Sequence, residues 1–306
     1  MKVLFVSSAN RGSIGPIVKA QGESLSQLGI AVDFFGVTGK GAGGYLSNIL
    51  PLRAHIRKTS PDMVHAHYSL CGIVAALTFA ANPLVVSLMG SDTKTGLISR
   101  IGVRFFTGFF WDRVIIKSSS MQRENYNEKF IVIPNGVDFD KFRSIQRKPA
   151  KSKKIILFLA DPSRESKNFA LARDAFDLLD TDTAELKVLY GIAQQDVPRI
   201  MNAVDVVLLT SKWEGSPNVV KEAMACNCPV VATNVGDVAW LFGDEPGYFL
   251  TGFDPQDVAN NIRMALAFAE KKGKSRGRER IRKLGLDSET VARRIVGVYE
   301  TVLGKK

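Results

Sequence analysis

Histidine and cysteine are scarce in this sequence, with three of each in 306 residues. Cys71, Cys226 and Cys228 follow no metal-ligand spacing. Cys226 and Cys228 are separated by one residue and have no second cluster, so neither a zinc module nor a disulfide framework is expected. That usage fits a reducing cytoplasmic compartment. No stretch approaches the roughly 18 unbroken apolar residues of a membrane helix. The opening MKVLFVSS reads as a first strand and not as a signal peptide. There is no internal repeat, no low-complexity tract, and none of the spacings of a nucleic-acid module, so nucleic acid is not an expected partner. What remains is an ordinary globular composition, 45% hydrophobic with mean hydropathy +0.03. The length is generous for one core and comfortable for two.

Charge is abundant and uneven. Lys and Arg number 41 against 30 Asp and Glu, a net +11. Residues 1–150 hold 18 basic and 9 acidic residues (+9), and residues 151–306 hold 23 and 21 (+2). A basic first half points to an anionic partner, either lipid headgroups or a phosphorylated acceptor.

Short β-branched runs alternate with helical patterns along both halves. Such runs are expected at 2–7, 31–35, 62–65, 84–88, 113–116 and from 130. They resume at 155–160, 185–190, 205–210, 228–233 and 247–250. Alternation of this kind predicts α/β domains with parallel sheets. A basic, Pro-containing segment at 141–154 separates the halves. Expected domains are 1–145 and 146–286, followed by a last helix, 287–306. In such sheets ligands meet the loops after the strands. The turn ANRGSIGP (9–16), with Gly12 and Gly15, follows the first strand. GVTGKGAGGYLSN (36–48) reads as a mobile glycine-rich loop. His65 and His67 lie two apart on the third strand and share a face; a metal pair, an acceptor contact by His67, or plain packing are all open. Lys94 to Trp111 combines cations with a dense aromatic face, either a core helix or one lying on a membrane. The Lys- and Arg-rich run 270–283 reads as solvated surface.

The densest signal is SKWEGSPNVVKEAMACNCPVVAT (211–233), a loop, a helix and a buried strand. Ser216 reads as the helix N-cap and Pro217 as its first residue. The amides of Asn218, Val219 and Val220 then remain free, and with the helix dipole they form an anion site. Gly215 permits close approach of a ligand. Glu214 and Glu222 bracket the site from the loop and the helix.

This E-G-x-x-x-x-x-x-E block with AMACNCPVVAT, together with IPNGVD (133–138), resembles the donor site and domain closure of the group 1 (family 4) glycosyltransferases. The resemblance implies the GT-B architecture, two doubly wound, Rossmann-like parallel-sheet domains facing a cleft. It implies transfer of a sugar from a nucleotide-diphosphate sugar to a carbohydrate or lipid-linked hydroxyl, with retention of configuration and without a metal or other cofactor. On that pattern Glu214 contacts the donor sugar and Glu222 the ribose. The backbone from Gly215, Ser216 and Pro217 to Val220 meets the diphosphate, and Gly12 and Gly15 face the reacting centre. Lys167, in the loop 161–168, matches a cation that grips the diphosphate. The usual arginine position holds Asp161, and Arg164 is the substitute. Met89 stands where many members have a histidine. Asp92 is the nearest polar group left there, either contacting acceptor or sugar or capping the next helix. These departures leave open a catalytically silent homologue that binds nucleotide sugar or scaffolds glycan assembly. The same reading places the chain in the cytoplasm, with contact to an anionic membrane face.

Overall fold

The computed structural model describes residues 1–10, 12–90, 97–124, 128–145 and 153–304. Contacts divide it into two compact units, Met1–Gly136 with Ser288–Lys306, and Val137–Asp287. The segment 137–145, expected with the first domain, groups with the second unit.

The first unit holds strands β1 (Lys2–Ser8), β2 (Ala31–Val37), β3 (Met63–His67), β4 (Leu84–Ser87), β5 (Arg113–Ile116) and β6 (Phe130–Val132). They form one sheet in the order β2-β1-β3-β4-β5-β6, all parallel. Its helices are α1 (Pro16–Gln27), α2 (Gly41–Leu46), α3 (Ile49–Thr59), α4 (Ser69–Ala76), α5 (Leu97–Phe109) and α6 (Ser119–Glu124). The β-branched runs are buried on both faces, as a sheet covered by helices requires. On one face Leu4, Val6, Val64, Val86 and Trp111 share a core. On the other lie His65 and His67, with no exposed surface. The glycine-rich 36–48 segment is more ordered than its composition predicts. It finishes β2 and forms α2, because the Asn48 amide holds Thr38, Gly44 and Tyr45 by their carbonyls.

The second unit has β7 (Lys154–Leu159), β8 (Ala184–Leu189), β9 (Val206–Leu209), β10 (Val230–Thr233) and β11 (Tyr248–Thr251). Their order is β11-β10-β9-β7-β8, again all parallel. Helices α7 (Phe169–Phe176), α8 (Val197–Ala203), α9 (Asn218–Ala225), α10 (Val238–Phe242), α11 (Pro255–Lys272) and α12 (Gly277–Lys283) complete it. The basic 270–283 run is only partly solvated, contrary to the sequence reading. Lys274, Arg278 and Arg280 spend their donors on main-chain carbonyls of Cys226, Phe139, Phe142, Trp240 and Leu241. These bonds tie the run to α10, to the 139–142 segment and to the residue that ends α9.

The last helix, α13 (Ser288–Leu303), packs on α1 in the first unit. Its Tyr299 is fully buried and bonds His65 Nδ1 at 2.5 Å.

Candidate functional site

In each sheet the direction of chain progression reverses beside its first strand. In the second unit that switch point lies between β7 and β9, where open α/β sheets bind ligands. The loop after β7 carries Arg164 and Lys167, and the loop after β9 carries Glu214. The fold joins them. Lys167 Nζ lies 2.5 Å from Glu214 Oε1, which also accepts the Ser211 hydroxyl at 2.8 Å. Thr210 Oγ1 donates to the carbonyls of Lys167 and Asn168, and Lys212 N to that of Ser166. Lys167 and Glu214 keep 17% of their side-chain surface each, so the pair is accessible from one side. Arg164, nearby in sequence, is exposed, and its side chain makes no bond among the described residues. Asp161, at the place of the usual arginine, closes the turn by accepting from the Ser163 amide and hydroxyl.

The loop after β10 supplies a third wall. Gly236 has φ +62, and a Cβ there would come within 2.5 Å of the Gly215 carbonyl. Glycine is required on both counts. That close approach holds the Glu214–Gly215 peptide against the 234–237 loop.

Helix α9 starts one residue later than the sequence predicts. Pro217, at φ −69 and ψ 116, is the N-cap, and Asn218 is the first helical residue. Ser216 caps nothing: its hydroxyl is shielded from water and has no hydrogen-bond partner among the described residues. The expectation for the amides is unaffected. The first intrahelical bond is Lys221 N to the Pro217 carbonyl, so those of Asn218, Val219 and Val220 precede it. Next to them Asn218 Oδ1 and both Asp237 oxygens are also shielded without a partner among the described residues. Orphaned polar atoms at this density mark a place where a ligand or water completes the bonding.

Glu222 lies one turn along α9, half-buried, and accepts from Gln194 Nε2 at 3.2 Å. Burial raises its carboxyl above the usual range, against Gln194, Lys221 and Lys141. Lys221 has no exposed surface. Burial brings its ammonium down to about 8, while Asp237 and Glu222 pull it back up. Burial lifts Asp237 to about 6, opposed chiefly by the charge of Lys221 and aided by that of Glu214. Sequence reasoning missed Lys221, Asp237, Gln194 and Ser211. The only signal for the first was a lysine at a helix position that faces inward.

In the first unit the switch point lies between β1 and β3. Gly12 there has φ +86 and its amide donates to the Ala9 carbonyl, a turn that favours glycine. Gly15 is the N-cap of α1 at an ordinary φ of −61, and space is open around it. Tyr68, just past β3, holds φ 74, an unusual conformation for so large a residue. His67, expected to be a candidate acceptor contact, is fully buried instead. Its Nε2 bonds Gln21 Oε1 at 3.1 Å, and its ring stacks on His65 at 4.4 Å. Burial, then Lys117, pushes it down to about 3, so both histidines are neutral packing residues. Among the described residues no group of three His, Cys, Asp or Glu is placed to hold a metal ion. Asp92 lies outside the described residues. Met89 is half-buried.

Two family descriptions match: "Glycosyltransferase Family 4" over residues 17–141 and "Glycosyl transferases group 1" over 176–267. TuaC of Bacillus subtilis, provisionally named a teichuronic acid biosynthesis glycosyltransferase, is 25% identical over 239 residues, covering 67% of this chain and 61% of that protein. An Escherichia coli UDP-Gal:alpha-D-GlcNAc-diphosphoundecaprenol alpha-1,3-galactosyltransferase is 24% identical over 255 residues, covering 67% and 66%. The chain thus matches somewhat under two thirds of the length of these relatives. Among solved structures, Anabaena HepE in complex with UDP-glucose superposes with a TM-score of 0.80 at 19% identity, over 98% of this chain and all of that one. The two parallel sheets have the GT-B fold, the loops after β7, β9 and β10 converge on one helix start, and with a matching domain in each half the chain belongs to the group 1 (family 4) glycosyltransferases.

Proposed function

We propose that this chain transfers a sugar from a nucleotide-diphosphate sugar to a hydroxyl of a carbohydrate or lipid-linked acceptor, in polysaccharide or glycolipid synthesis. One observation carries the reading. The free amides and orphaned polar atoms at the start of α9 stand between Glu214, paired with Lys167, and Glu222. The diphosphate takes the amides of 218–220, where the helix dipole favours negative charge. Glu222 accepts from the ribose hydroxyls, and Glu214 from the sugar. Lys167 and Arg164 supply positive charge where the leaving diphosphate gains negative charge. The bond from the anomeric carbon to the phosphate oxygen breaks as the bond to the acceptor oxygen forms. The acceptor proton passes to the departing diphosphate, so no second carboxylate is needed beside the reacting carbon, and configuration is retained. The names of the Escherichia coli relative and of the HepE complex support a nucleotide-sugar donor. The former also supports a lipid-linked acceptor, which would bring the chain to a membrane face.

The test is incubation with a panel of UDP, GDP and ADP sugars, reading free nucleotide diphosphate. Release with one donor, and with it the anomeric form of the product, establishes transfer and its stereochemistry. Tight nucleotide binding without release over the whole panel favours the silent homologue suggested by Met89 and Asp161.

A further inference from the structure

We propose that the outer face of α5, together with Phe79 and the arginines of α3, is a docking surface for an anionic phospholipid bilayer. Helix α5 is apolar on two sides. Its inner side buries Val103 and Thr107, with Phe106 and Phe110 packed against the core of the first unit. Its outer side presents Ile101, Phe105 and Phe109 at a spacing of four, one continuous stripe. These side chains are 60%, 52% and 76% exposed. Nothing in the first unit covers them among the described residues. Phe79, just past α4, is 69% exposed and meets Phe110 ring to ring at 6.3 Å. Phe105 reaches the same Phe110 ring at 6.1 Å. A shallow groove lined by Phe79, Ala80 and Asn82 then connects the aromatic stripe to Arg53 and Arg57 of α3. The result is one surface, aromatic in the middle and cationic at its edge.

Soluble chains seldom leave so much contiguous apolar surface open. Charge selects the occupant. Arg53, Arg57, Lys58 and Arg104 are exposed, and no carboxylate is bonded to them among the described residues. The unit carries 18 basic and 9 acidic residues over 1–136 and 288–306, a net +9. A second copy would bring the same charge to the same face and be repelled. A bilayer with anionic headgroups attracts the cations, accepts the aromatic rings at its interface, and lets the arginine stems lie along them. No helix among the described residues is long and apolar enough to cross a membrane, so the contact is one of surface attachment.

The surface belongs to the first unit and α9 to the second, and the inference does not rest on sugar transfer. It is tested with the full chain by co-sedimentation with vesicles of equal parts phosphatidylglycerol and phosphatidylcholine, against pure phosphatidylcholine. The protein should partition onto the anionic vesicles and be released as salt rises towards about 0.5 M. The double change Phe105→Ser with Phe109→Ser should lower the partition coefficient at least about ten-fold. Arg53→Glu with Arg57→Glu should lower it by roughly five-fold or more for each charge reversed. Circular dichroism and thermal unfolding establish that both pairs of exposed changes leave the fold intact. Equal partition onto both vesicles, no partition onto either, or unaltered partition of the phenylalanine variant would overturn the inference. So would a wild-type dimer that the phenylalanine changes split, since the face would then be an interface between copies. Failure of every nucleotide sugar to react would remove the transfer reading and leave the vesicle result untouched.

Discussion

Lys221 has no exposed surface, yet at neutral pH it carries most of its charge, because Asp237 and Glu222 face it. Its drop from 10.5 to about 8 means that the charged form costs the fold about 3 kcal/mol. The cost is present below pH 8 and disappears as pH rises towards 10.5, where the unfolded chain still binds the proton. Stability should therefore climb between those values, and Lys221→Met should lose that climb; urea unfolding at pH 8 and pH 10 in both proteins measures it. Asp237 works in the opposite sense. Its carboxyl is raised to about 6, so its contribution is greatest below the unfolded value near 3.8 and is lost as pH rises through 6. Lys221→Met alone leaves Asp237 buried without its cation, a worse state than changing both. The two acids of the site separate by role. Glu222→Ala should weaken nucleotide diphosphate binding roughly 10- to 100-fold, the worth of a charged hydrogen bond. Glu214→Ala should bind nucleotide nearly as well and lose turnover. Calorimetry and initial rates distinguish them, and unchanged affinity and rate in both would dismiss the assignment.

Helix α9 is aimed by its neighbours rather than by a cap. Gly236 presses on the Gly215 carbonyl from one side, and Gly277 of α12 lies against Met224 from the other. A Cβ at residue 277 would come within 2.7 Å of the Met224 carbonyl. Gly236→Ala combines an unfavourable φ with a backbone clash and should cost about 2 kcal/mol or more. It should also shift the start of α9 and weaken nucleotide binding, a joint effect that melting and calorimetry on one variant can read. The elements were largely legible in the sequence. Each β-branched run became a strand within a residue or two, because parallel strands covered on both faces need unbroken apolar stretches. The placement of Glu214 and Gly215 in the loop before α9, and of Glu222 on it, was legible because a short, well-signalled helix start separates them. Ser216 was misread as the cap, since Pro217 can occupy either side of a helix start. Lys221 and Asp237 were hidden because their electrostatic influence on each other depends on which side of α9 faces inward. That is decided by β10 and α12, not by local sequence. His67 was ambiguous for a similar reason: a histidine pair on a strand looks alike whether it meets a ligand or Gln21.

At the scale of the whole molecule the first unit is assembled from two distant stretches. Residues 288–303 bury Val291, Ile295, Val298, Tyr299 and Val302, and Tyr299 gives His65 its Nδ1 partner. A chain ending at Asp287 should leave that face open. Hydrogen exchange should then lose protection across β1 to β6 while β7 to β11 keep theirs, since the second unit is continuous from Val137 to Asp287. Equal loss in both units would show that α13 supports them alike. A partner so far along the chain was legible only as a helix pattern; its place on α1 follows from contacts no local signal encodes. The arrangement also bears on synthesis. The six amino-terminal strands leave the ribosome first, yet their covering helix is translated after everything in between. The later-made half can therefore reach its native state before the earlier-made one, and the nascent amino-terminal sheet must wait with an oily flank bare, a period in which chaperone engagement would matter most.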